Sequence, residues 1–264
     1  MTKDTRISFV HSGIPECTSP IVSYHPDYPE YLGIHGTGFF ARRHDAVIFI
    51  TARHCVTKDP NADIALLASR LLISYTPSGN YSQKDHVEFS AVYTYRHESP
   101  DIPGEHVDLV VLIANVSCKS KQHKQLLSRA VKLPPSGEWF DKFCEAHSVQ
   151  EALSEAVMLP LVVVGYPVEG TETESTPENG VVHQKVTTSG YLKPGFYPHT
   201  MGIRDMVWEH DLNGFSGSPV FLQFKNSKGI PQQSLVGVIV TGGNRQAQFI
   251  RVSQMQLPKL NLEL

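Results

Sequence analysis

The apolar runs of this chain are short, numerous and closed off by turn-forming residues. Residues 46–51, 108–114, 161–166 and 235–240 are nearly continuous in apolar side chains, and the most apolar stretch, 158–166, is about half the length a helix needs to cross a bilayer. Runs this short suit strands better than helices. The 19 glycines and 18 prolines supply turns between many such strands, and a 41% hydrophobic composition over 264 residues suffices for one large core or two smaller ones. The expected fold class is all-β: two six-stranded antiparallel β-barrels with a helical insertion in the connector between them.

In chain order, residues 1–30 are rich in Pro, Ser and His, carry strand candidates only at 7–10 and 21–24, and read as an N-terminal extension packing on the barrels. A hairpin follows, made of 31–41, a turn at 42–45, and a second strand at 46–51 apolar enough to be buried on both faces. Weaker strands at 71–75 and 87–95 and a strong one at 108–114 complete a first barrel over 31–116. Residues 117–156 form the connector. Lys119, Lys121 and Lys124 give it a basic, solvated start, Pro134-Pro135 breaks it, and Ser148 and Glu151 are spaced as a capping box ahead of a helix over 152–158. The second barrel spans 157–254, with strands at 161–166, 181–191, 206–209, 235–243 and 249–252, and 255–264 is a tail. The acidic stretch 169–180 reads as a solvated, uncompacted loop.

One stretch between strands carries the chemistry. In Asn213-Gly214-Phe215-Ser216-Gly217-Ser218-Pro219 a serine stands between two glycines, in a turn ahead of the apolar pair Val220-Phe221. Glycines there allow backbone angles closed to other residues and let a ligand come close. A serine hydroxyl becomes a nucleophile only when a neighbouring base takes its proton. His54, just past the buried strand 46–51, is the candidate base, and a carboxylate must then orient its ring. Two are available, Asp63 and Asp108. Asp63 follows His54 by nine residues, too few for the chain to return to the same rim of a barrel, whereas Asp108 follows two strand candidates and opens a strong third, and is preferred.

These motifs resemble those of trypsin-like, chymotrypsin-fold serine peptidases. Thr51-Ala52-Arg53-His54-Cys55 is similar to the family's histidine motif, Asp108-Leu109-Val110-Val111-Leu112 to its aspartate motif and Gly214-Phe215-Ser216-Gly217-Ser218-Pro219 to its serine motif, in the family's His, Asp, Ser order. Gly36-Thr37-Gly38-Phe39 and Val164-Gly165-Tyr166-Pro167 add to the likeness, which looks closer to the bacterial HtrA/Deg-type protease domain than to the secreted, disulfide-bonded trypsins. The resemblance implies a catalytic His54, Asp108 and Ser216, an oxyanion hole from the backbone N–H groups of Gly214 and Ser216, a specificity pocket involving His210, and substrate pairing along Val240, Thr241 and Gly242. The chain departs from the family in two places. Phe215 stands where many secreted members carry the aspartate that pairs with a newly cleaved N-terminus, and Pro20 precedes Ile21, so activation by N-terminal cleavage is not expected. Cys55 has no cysteine near 33–38 to pair with, which predicts a buried free thiol.

Charge and cysteine usage narrow the setting. A net charge of −3 without a Lys/Arg cluster argues against nucleic-acid or membrane partners, and four cysteines with no CxxC spacing, behind an N-terminus lacking the apolar core of a signal peptide, predict a cytoplasmic protein. No His/Cys grouping has zinc-site spacing, so neither a metal nor a cofactor is expected. The function expected is a serine endopeptidase acting on a protein or peptide substrate, under the control of a regulatory protein partner or of loop ordering. The alternative is a peptidase-fold module that binds a peptide or partner and is inactive or latent.

Overall fold

The computed structural model describes residues 16–77, 86–96, 106–133, 138–146, 149, 159–169, 173–176, 180–225 and 228–255. Two β units share the chain. The first is a six-stranded sheet in which β1 (Thr18–His25), β2 (Tyr28–Arg43), β3 (Ala46–Thr51), β4 (Phe89–Arg96) and β5 (His106–Ala114) lie in the order β1-β2-β3-β5-β4. A two-residue β6 (Val131–Lys132) runs parallel to β2. The second unit is a closed antiparallel barrel of β7 (Pro160–Gly165), β10 (Val186–Pro194), β11 (Thr200–Arg204), β12 (Pro219–Lys225), β13 (Pro231–Gly243) and β14 (Gln246–Arg251). Between β7 and β10, β8 (Thr173–Thr176) and β9 (Gly180–His183) pair as a separate hairpin.

The central β3 sits between β2 and β5 and is buried at every position, as its unbroken apolar sequence requires. His44, at φ 55°, turns the chain back between β2 and β3. One hydrophobic cluster lies within the first sheet, around Ile21, Phe40, Phe49, Val110 and Leu112. The larger cluster is continuous across both units, joining Phe39, Ile50 and Val111 of the sheet to Phe215, Phe221 and Val238 of the barrel. The junction is therefore packed core, and the loops that meet there have a rigid base.

Several expectations change. β1 lies within the expected N-terminal extension, yet it is an edge strand of the first sheet. That sheet is not closed by a continuous ladder among the described residues. The expected strand at 71–75 is an irregular bridge instead, with Leu72 N–H donating to Val22 O (2.7 Å) and Ile73 O accepting from Val87 N–H (2.8 Å). It emerges directly from helix α1 (Ile64–Ala68), which leaves too few extended residues for a full ladder. The expected strand at 206–209 is a loop, because Asp205 adopts φ 54° and turns the chain out of β11. The acidic stretch expected to be uncompacted contains β8 and the start of β9.

In the connector, the basic stretch is helix α2 (Lys121–Arg129), capped by Ser120 Oγ accepting from His123 N–H at 3.0 Å. Its lysines face water, but Leu126 and Arg129 are buried, and the Arg129 guanidinium donates to Glu16 O, Ser74 O, Thr18 O and Ser19 Oγ. Helix α3 (Glu138–Glu145) docks on the barrel through the buried Phe140 beside Phe249 and an Asp141–Arg251 ion pair at 2.7 Å. The helix expected over 152–158 lies outside the described residues. Among the described residues, no helix is long and apolar enough to cross a membrane.

Candidate functional site

Strand register brings His54 to Asp108. In the antiparallel β3–β5 pair Thr51 faces Val110, so the chain leaving β3 passes Asp108 two residues later. There it turns through a 3-10 segment, Arg53–Cys55, braced by the buried Arg53 guanidinium donating to Asp59 O and Pro60 O. Asp108 then accepts twice from one residue: His54 backbone N–H donates to Oδ1 at 2.9 Å, and the ring Nδ1 donates to Oδ2 at 2.6 Å. With Nδ1–H turned to the carboxylate, Nε2 of the neutral ring is left as the acceptor. The bond to Asp108, helped by the Cys55 thiol beside the ring, pushes the His54 pKa up to about 10 against the opposing effect of burial. Asp63 has a different task, since its carboxylate caps α1 by accepting from Leu66 N–H at 3.1 Å.

Ser216 reaches the same place from the barrel. Its carbonyl accepts from Thr37 N–H at 2.9 Å and from Cys55 Sγ at 3.4 Å, which sets the serine turn against the residue that follows His54. Gly214 (φ 93°) and Gly217 (φ 85°) occupy the left-handed region, and both are hemmed in. A Cβ at Gly214 would stand 2.4 Å from Tyr166 O, and one at Gly217 would stand 1.8 Å from Thr37 O. Phe215, fully buried, packs edge-on against Trp208 at 5.8 Å, so an apolar wedge occupies the position before the serine. Ser216 is half-buried, and among the described residues no hydrogen bond joins its hydroxyl to the His54 ring.

The peptide planes on either side are oriented. Asn213 O accepts from Val168 N–H at 2.9 Å, and in a trans peptide the Gly214 N–H then points the opposite way, off the barrel wall. Phe215 O accepts from Ser218 N–H at 2.9 Å, which likewise turns the Ser216 N–H away from the turn's interior. Among the described residues, neither N–H donates to a backbone carbonyl.

The other named positions are less assembled. His210 is exposed and meets Trp208 edge-on at 5.2 Å, while the neighbouring Asp211 accepts from Asn213 Nδ2. Val240, Thr241 and Gly242 lie near the end of β13, where Thr241 and Gly242 pair with β14. Pairing with β12 stops at Val238, and the backbone of Gly217 and Ser218 takes up Ile239, so past that point one edge of β13 has no strand partner among the described residues.

Thr37 is the residue whose importance only the structure shows. Fully buried on β2, it uses every polar atom: across the junction Oγ1 donates to Gly214 O (2.7 Å) and accepts from Tyr166 N–H (2.8 Å) and N–H donates to Ser216 O, while within the first sheet its carbonyl accepts from Thr51 Oγ1 (2.8 Å). In sequence, it was one letter of the string Gly36-Thr37-Gly38-Phe39. All four cysteines are free thiols, and Cys55 is 2% exposed. A Cβ at Gly36 would stand 2.6 Å from Cys55 Sγ, so the thiol fills the space a side chain at 36 would need. Among the described residues, no cluster of three or more His, Cys, Asp or Glu side chains could hold a metal ion.

No protein-family model and no curated protein matches this chain. Among solved structures, it is similar to one described as "Aromatic interactions drive the coupled folding and binding of the intrinsically disordered Sesbania mosaic virus VPg protein", at 12% identity and a TM-score of 0.37, covering 92% of this chain and 91% of that one. A likeness this remote carries no functional argument.

Proposed function

We propose that this chain is a serine endopeptidase of the trypsin-like type. The observation that carries the reading is the double hold of Asp108 on His54 beside a serine turn bonded to Thr37 and Cys55. In the proposed reaction Ser216 Oγ attacks a peptide carbonyl while His54 Nε2 takes its proton. The resulting imidazolium is stabilised by Asp108 and then protonates the leaving amine, and water releases the acyl group by the same steps. The outward N–H groups of Gly214 and Ser216 suit the developing oxyanion, a role for which each donor is worth about 3 kcal/mol. The open edge of β13 at 240–242 suits an extended substrate backbone. Free thiols throughout suit a reducing compartment such as the cytoplasm.

A second reading keeps the fold and withholds the chemistry: a peptide- or partner-binding module that is latent until a partner orders the site. The missing bond between Ser216 Oγ and His54 favours it. Labelling with a fluorophosphonate probe separates the two readings. Labelling of the wild type, lost in both Ser216→Ala and His54→Ala, is the result expected of the peptidase; a folded wild type that never labels leaves the binding module.

A further inference from the structure

A cleft of about 440 Å3 opens on the first sheet beside the proposed catalytic histidine, with Cys55 in its wall. Sites that hold small ligands or side chains fall in this size range. Val56, Leu67 and Leu71 give it apolar lining, His25, His35 and Arg70 line it as well, and among the described residues no carboxylate does. The three basic side chains are not equivalent. Ser23 Oγ lies 2.7 Å from His35 Nε2, and burial holds that imidazole below its ordinary range, so it is neutral at pH 7. His25 has Asp27 beside it, Oδ2 at 3.8 Å from Nδ1. Arg70 is half-buried and has no carboxylate partner among the described residues. Among the described residues, a permanent cation therefore stands without a carboxylate partner beside the apolar lining of the cleft.

The position of the cleft suggests which part of a substrate would meet it. The walls come from β1, β2, α1 and the turn that carries His54, all belonging to the first sheet, whereas the open edge at 240–242 belongs to the barrel. In acyl transfer the acyl part stays with the serine while the histidine protonates the departing amine, so the leaving segment lies on the histidine's side. A guanidinium that is only partly hydrated is well matched to a carboxylate arriving with an apolar neighbour.

We propose that this cleft holds the leaving-group segment of the substrate and selects one with a bulky apolar side chain followed within two residues by a carboxylate. This rests on the peptidase reading above and names the substrate that such a site takes. The released product is then a peptide with a free amino terminus that begins with an apolar residue and carries an acid close behind.

Binding of such products tests the proposal without requiring hydrolysis. Using the full chain as Ser216→Ala, fluorescence anisotropy compares three peptides with a C-terminal fluorophore: Leu-Glu-Gly-Gly, Leu-Lys-Gly-Gly and Gly-Glu-Gly-Gly. Leu-Glu-Gly-Gly is expected to bind, with each of the other two about tenfold weaker. Adding Arg70→Glu should reverse the order of the Glu and Lys peptides, a gain that a misfolded variant could not produce. Equal affinity of the three peptides for the unaltered cleft overturns the proposal, as does an order that Arg70→Glu or Arg70→Gln leaves unchanged. The peptidase reading stands or falls separately, on fluorophosphonate labelling of Ser216.

Discussion

The hydroxyl of Thr37, on the first sheet, donates to the carbonyl of Gly214, on the barrel's serine turn, at 2.7 Å, and the same oxygen accepts from Tyr166 N–H at 2.8 Å. One buried side chain thus joins the two β units at the point where the candidate nucleophile is held. Thr37→Val keeps the shape and removes both bonds. Buried groups left unpaired cost about 1–3 kcal/mol each, so we expect a loss of roughly 2 kcal/mol or more in urea unfolding, together with slower fluorophosphonate labelling. Thr37→Ser should recover most of both.

Gly217 presses its bare Cα against Thr37. An added methyl would sit 1.8 Å from Thr37 O on a backbone at φ 85°, whereas at Gly229, also in the left-handed region at φ 73°, a Cβ would meet nothing within 4 Å. The pair separates steric conflict from backbone preference. Gly229→Ala should cost about 1–2 kcal/mol, the penalty of a left-handed residue. Gly217→Ala should cost about 4 kcal/mol or more and abolish labelling, because the turn must move. Chemical denaturation of the two variants checks the difference.

The His54–Asp108 bond makes a pH prediction. The ordinary imidazole value is 6.5 and that of the folded protein is raised to about 10, so the folded state holds this proton more tightly than the unfolded chain does. The stability it adds is fully present below pH 6.5 and is lost as the pH rises through about 10. The neutral base needed for catalysis becomes abundant only on the alkaline side. An NMR titration of the His54 ring should show a midpoint well above the ordinary one, falling back towards it in Asp108→Asn. Titration near 6.5 in both proteins would show that Asp108 does not hold the ring.

Asp63 and Asp108 separate by function as well as by place. Asp63 caps a five-residue helix, so Asp63→Ala should cost about 1 kcal/mol, as N-cap losses do, and leave labelling in place. Asp108→Ala should abolish labelling by freeing both the ring and the backbone N–H of His54. Thermal unfolding and labelling of the two variants are sufficient readouts.

What could be read from the chain alone was local. Unbroken apolar runs such as 46–51 and 108–114 specify buried strands by composition, and the hairpin at β2–β3 follows from the turn residues between its halves. Asp108 was separable from Asp63 by counting, because a chain needs intervening strands to return to the same edge. The connector's lysines are solvated as expected, but the helix α2 that carries Lys121 and Lys124 and buries Leu126 and Arg129 was not legible, because a helix face is invisible in a simple tally of lysines. The loop at 206–209 escaped for a similar reason, as one left-handed residue, Asp205, overrides a strand-like composition.

Sequence by itself determined that the chain makes strands, which segments they occupy in outline, and which serine, histidine and carboxylates were available to meet. It could not determine that Thr37 would hold the serine turn, that the Cys55 thiol would fill the space beside Gly36, or that Arg70 would line a cleft beside the turn that carries the histidine. Those are contacts between residues far apart in the chain or in different strands. Their geometry depends on strand register and on how the sheet packs against the barrel, and neither is written in any local stretch.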